Sequence, residues 1–161
     1  MNMNLDPDDP RRHVFRYDEH MPDTDDLPLI ALKGHLLVEE MLVELSSKLL
    51  PHHEYLDDAS LRFHQKVSLV RSALHLKHNH RAWDLINALN RLRNDLVHSL
   101  EPPKLANRLD ELFRVYAEIQ VDDDMPINKS HEADLDRPER LKNVVIDCMQ
   151  FLRNLLYSDA N

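Results

Sequence analysis

A chain of 161 residues with a single glycine, Gly34, has few ways to turn sharply. Hairpin turns, bulges and phosphate-cradling loops depend on glycine for positive φ, so a β-rich fold and a glycine-rich nucleotide loop are both nearly excluded. Helices remain. With 42% hydrophobic and 30% charged residues the chain is an ordinary globular one, and its length suits one domain. The lone cysteine, Cys148, excludes an internal disulfide and a cysteine-rich zinc site and fits a reducing compartment. No apolar run approaches the ~20 residues of a membrane span, and MNMNLDPDDP does not read as a signal peptide. The expectation is a cytoplasmic, all-α protein with no membrane association.

Apolar spacing and prolines divide the chain into an acidic, mostly irregular arm at 1–26 and a single helical domain at 27–161, a bundle of about five helices. The first should span about Leu27 to Leu50, where Pro51 stops it. Apolar residues surround it, so it should be buried on more than one side. Gly34 within it either admits a close neighbouring helix or is a tolerated mild defect. A second helix is expected from about Ala59 to Leu76, with Asp57 or Asp58 as N-cap. The third, about Ala82 to Leu100, carries the clearest stripe, Leu85, Leu89, Leu92, Leu96 and Leu100, and ends at Glu101-Pro102-Pro103. A fourth covers about Lys104 to Ile119. After an acidic linker at about 121–137, the last starts near Pro138. Cys148 falls in its apolar stripe and reads as an inert core residue.

The net charge of −9 is unevenly spread. Residues 1–26 hold eight acids against three arginines, a net of −5, and residues 122–136 hold six acids against Lys129, again −5. Residues 61–93 carry seven cations, Arg62, Lys66, Arg71, Lys77, Arg81, Arg91 and Arg93, against Asp84, a net of +6. This stretch is either a solvated helix face or an anion-binding one. The acidic arm or linker, opposite in sign, would compete there with a polyanion, at a reach of ~8 Å in physiological salt.

At roughly 100° per residue, Asn87, Asn90, Asn94 and His98 fall opposite the third helix's leucine stripe. Amides and an imidazole stand where a plain surface helix would show Lys and Glu. Trp83, Ile86 and Val97 flank the row on one side and Arg91 on the other. A polar row with apolar flanks suits a ligand or a second protomer. Asn94 and His98, four apart, are neighbours; Arg93 lies between row and stripe and can swing toward either.

The segment Arg93-Asn94-Asp95-Leu96-Val97-His98 resembles the signature of the HEPN superfamily, an Arg, a polar residue directly after it and a His about a turn later. Leu32-Lys33-Gly34-His35-Leu36-Leu37-Val38-Glu39-Glu40 and Leu61-Arg62-Phe63-His64-Gln65-Lys66 precede it in the order seen in a bacterial, toxin-like or mannitol-repressor-like branch of that superfamily. The similarity covers about residues 27–119. It implies a helical bundle that pairs, bringing two copies of the signature into one groove, and a metal-independent ribonuclease activity needing no cofactor. Under that resemblance His98 serves acid–base transfer, Arg93 stabilises phosphoryl charge, and Asn94 orients His98 or a phosphate oxygen. Lys33, His35, Glu39, Asn87, Asn90 and Arg91 would line the groove. The implied partners are a second copy, RNA, and an antitoxin or other regulatory protein. A non-catalytic dimeric regulator or protein-interaction module using the same groove is the alternative.

Other features read more simply. His75, His78 and His80 have no adjoining carboxylate or thiol at regular spacing and read as loop histidines before metal ligands. Glu40 and Glu44 read as an exposed edge, and Trp83 as a core or seam anchor before a base-stacking platform.

Overall fold

The computed structural model describes residues 9–74, 80–98, 104–120 and 135–157. They form six α-helices: α1 (Arg12–His20), α2 (Leu27–Leu49), α3 (Phe63–Ala73), α4 (Ala82–His98), α5 (Leu105–Gln120) and α6 (Arg137–Tyr157), with a 3-10 turn at His53–Ala59. No strand occurs among the described residues, and no described helix is long and apolar enough to cross a membrane. The all-α class and the helix-bundle architecture stand, with six helices where about five are expected. The closing prolines Pro102 and Pro103 and most of the acidic linker lie outside the described residues.

Local chemistry sets the boundaries. Asp26 Oδ1 accepts from the Leu29 N–H at 3.0 Å and Pro28 sits in the first turn, so α2 starts where the sequence indicates. The second expected helix begins later than its apolar pattern suggests. Residues 53–59 close into the 3-10 turn, and Ser60 adopts a left-handed backbone (φ 46°, ψ 44°) that no right-handed helix can pass through. α3 therefore opens at Phe63, with Gln65 Oε1 accepting from the Arg62 N–H at 2.8 Å, and neither Asp57 nor Asp58 is its N-cap.

The arm, read as mostly irregular, contains α1. The one fully buried residue of α1 is His13, which packs edge-on to the Tyr157 ring, and Tyr17, one turn on, is half-buried against the core. Arg12 pairs with Glu44 and Arg16 with Glu40 (2.8 Å), so the arm's arginines meet acidic groups of α2. Its described part lies on α2 and α6. The contact is the reverse of an acidic arm laid over the basic stretch, and Glu40 and Glu44 are its anchors.

α2 is the central helix, packed on α6, α3 and α4, while α5 covers α4. Ile30, Val38, Leu42 and Leu45 of α2 are fully buried, as are Leu85, Leu89 and Leu92 of the α4 stripe. Trp83 is a core residue, edge-on to Phe151 at 5.1 Å, with the Arg71 guanidinium 5.7 Å from its ring centre. Cys148 is buried, and burial pushes its thiol well above the ordinary range, which leaves it unreactive. The Tyr116 hydroxyl donates to Asp147 Oδ2 at 2.5 Å, a buried link from α5 to α6. A hydrogen bond to a charged group contributes about 1.5–3 kcal/mol. Tyr116→Phe, which removes only the hydroxyl, should lower the urea-unfolding free energy by about that amount; a loss below about 0.5 kcal/mol would show the link to be idle.

Candidate functional site

The buried leucines of α4 turn its opposite edge outward. Along that edge Asn87, Asn90 and Asn94 are half-buried, Val97 and His98 are exposed, and His98 is the last described residue of the helix. Arg93 swings toward the row, its Nη1 donating to Asn94 Oδ1 at 3.2 Å. Asp95, the acid inside the signature, is drawn the other way. Its Oδ2 accepts from Arg108 Nε of α5 at 2.6 Å, and Arg108 also reaches Glu111 at 2.8 Å. α5 thereby neutralises the acid beside Arg93.

Beneath the row lies a polar cluster that joins three helices. His35 of α2 is only 2% exposed; its Nε2 donates to Asn90 Oδ1 at 3.1 Å, and its ring packs on Phe63 of α3 with centroids 4.3 Å apart. Nδ1 is buried without a hydrogen-bond partner, 3.9 Å from Glu39 Oε2. Glu39 Oε1 in turn accepts from Lys66 Nζ of α3 at 2.7 Å. Burial holds the His35 imidazole below its ordinary pKa; the Asn90 hydrogen bond and the Glu39 charge oppose this, and the Arg93 and Lys66 charges reinforce it. His13 is shifted down for the same leading reason, with Glu44 opposing and Arg12 reinforcing.

These two histidines predict an acid limb in stability. A histidine bound less tightly to its proton in the fold than in the unfolded chain stabilises the fold fully above the unfolded value of 6.5 and progressively less below it. Melting temperature should fall between about pH 6.5 and pH 5, before most carboxylates titrate. The slope should flatten in His13→Gln/His35→Gln. An equal slope in that variant would assign the limb elsewhere.

Asn87, Asn90 and Arg91 line a groove of about 510 Å³ between α3, α4 and α5, with His64, Arg81 and Arg114. Its arginines are paired: Arg91 with Glu111 at 3.0 Å, Arg81 with Glu118, and Arg114 with Glu118 at 2.8 Å. With Lys66 on Glu39, much of the basic stretch is cancelled by carboxylates from other helices. Arg62, Arg71 and Arg93 have no carboxylate partner among the described residues, and Lys77 lies outside them.

The expected site residues thus fall into three places. His35, Glu39, Asn90, Arg93 and Asn94 come together where α2 meets α4. Asn87 and Arg91 face α5, sharing Asn90 with the cluster. Lys33 is exposed on α2 and makes no polar contact with the rest. His98 stands at the end of α4, five positions from Arg93, which is roughly 140° around the helix and ~7.5 Å along it. His35, named as a groove residue, is closed off from solvent by Phe63 and α4, so it supports the row from below. Lys66 and Phe63 of α3 and the α5 carboxylates are absent from the sequence-based list. Only the spacing of Phe63 and Lys66, one turn apart on α3, hinted at a shared face.

His75 and His78 lie outside the described residues; His80 stacks on Phe151 at 5.0 Å, and its Nδ1 accepts from the Ala82 N–H at 3.1 Å, capping α4. Among the described residues no three His, Cys, Asp or Glu side chains converge as a metal would require. No family model, curated protein or solved structure matches this chain.

Proposed function

We propose that this chain is a HEPN-like, metal-independent endoribonuclease of toxin or defence type, acting as a homodimer in which Arg93, Asn94 and His98 of two α4 helices share one groove. The observation that carries the reading is the local arrangement of the signature. His98 is open to solvent, Arg93 is turned onto Asn94, and the neighbouring acid is held away by Arg108. In this reading His98 transfers a proton at the RNA 2′-hydroxyl or the leaving oxygen, and the planar guanidinium of Arg93 meets charge developing on the phosphoryl oxygens. Asn94, a turn from His98, orients it or a phosphate oxygen. Arg93 and His98 leave α4 on different faces, so a second copy is what brings an imidazole and a guanidinium to one phosphate.

The paired arginines of the α3–α5 groove favour a second reading. Few of them are left to neutralise a polyanion, which suits a non-catalytic dimeric regulator or interaction module that binds protein on the same face. The two part on one experiment. The ribonuclease degrades RNA in EDTA and loses that activity in His98→Ala, and its overexpression inhibits growth unless Arg93 is replaced by alanine. The regulator leaves RNA intact and overexpresses without harm.

A further inference from the structure

α2 is apolar around its circumference, and the fold covers only part of it. Leu29, Leu36 and Val43 keep 37%, 55% and 44% of their surface exposed, while Ile30, Val38, Leu42 and Leu45 are buried. The exposed three recur every seven residues, and Lys33 and Glu40, also exposed, each follow a leucine by four. One edge of the helix therefore presents Leu29, Lys33, Leu36, Glu40 and Val43, two of every seven positions, as a coiled-coil seam does.

The order of that edge is complementary to itself when reversed. Laid antiparallel on a two-fold axis at Leu36, two such helices set Leu36 on Leu36, Leu29 on the partner's Val43, and Lys33 beside the partner's Glu40, the last two pairs occurring twice. A parallel pairing would oppose lysine to lysine and glutamate to glutamate, a penalty that selects the antiparallel register. Val43 also borders a depression of about 200 Å³, which mixes Leu56 and Leu61 with serines, His53 and Lys66.

From this edge we infer that α2 is a homotypic docking surface, and that its occupant is a second copy of this chain seated antiparallel across Leu36. The inference rests on the edge alone and holds whether or not RNA is cut.

Sedimentation of the full chain at micromolar concentration tests it. The wild type sediments as a dimer. Leu36→Glu, at an exposed position outside the core, weakens the dimer by about thirtyfold or more with an unchanged circular-dichroism spectrum. Lys33→Glu and Glu40→Lys each weaken it by burying like charges, and the two together restore it, because the pair re-forms with its signs exchanged. Glu40 also holds Arg16 of α1 at 2.8 Å, a contact that Glu40→Lys loses in the single and the double variant alike, so the comparison of those two still reports on the seam. A monomeric wild type, a dimer indifferent to Leu36→Glu, or a double variant no tighter than the single ones would each overturn the inference.

Discussion

His98→Ala is expected to slow RNA cleavage by about 10²–10⁴-fold, the usual loss when a positioned acid–base group is removed. His98 is exposed and makes no core contact, so the variant should unfold within about 0.5 kcal/mol of the wild type, separating chemistry from stability. Arg93→Ala should cost about 10²–10³-fold, as for loss of one preorganised donor to a developing oxyanion. That variant also frees Asn94 Oδ1 from its 3.2 Å bond, and Arg93→Lys should recover little, because an ammonium cannot reproduce the planar fork. Rates should be read on a fluorogenic RNA in EDTA at one fixed ionic strength, since phosphate binding varies steeply with salt. Equal cleavage by wild type and His98→Ala would place the activity outside this residue. No cleavage by the wild type would leave the regulator reading standing.

Gly34→Leu should destabilise the fold by about 3 kcal/mol, and Gly34→Ala by about 1–2 kcal/mol. A Cβ added at Gly34 would overlap Val145 Cγ2 of α6 and lie 3.2 Å from Cγ1 of the same side chain. Both methyls face the glycine, so rotating χ1 does not clear the space, and a valine in a helix has one strongly preferred rotamer in any case. Alanine's higher helix propensity returns at most ~1 kcal/mol, which the overlap outweighs because Val145 is fully buried and has nowhere to move. Val145→Ala alone opens a small void. Combined with Gly34→Ala it should cost less than the sum of the two, by about 0.5–3 kcal/mol in a double-mutant cycle. Strict additivity would mean that α2 and α6 do not meet at this point.

The helices legible in the sequence were those whose inner faces are apolar and whose ends carry proline or an acidic cap. α2, α4, α5 and α6 begin within a residue or two of their expected starts, and α2 ends one residue before its expected limit. α1 escaped because it is short and its docking face is mixed, a buried imidazole and a half-buried tyrosine held by a pair of arginines, among many acids and prolines. α3 starts late because a left-handed Ser60 interrupts a pattern that otherwise reads as continuous. The outward polar row of α4 also followed from periodicity, yet the cluster under it did not, since Lys66, Glu39 and His35 meet only when three helices pack.

Charge divides along the same line. By itself the sequence determined a helical class, an open polar edge on α4 and a cationic stretch, because glycine scarcity, periodicity and composition act within a few residues of one another. Only the tertiary structure decided that Arg81 and Arg91 are matched by Glu118 and Glu111, that Arg108 draws Asp95 aside, and that Gly34 makes room for Val145. Those partners stand up to 111 positions apart in the chain. Contact energies act over a few ångströms, and which distant residues come within that range is set by how the buried faces stack.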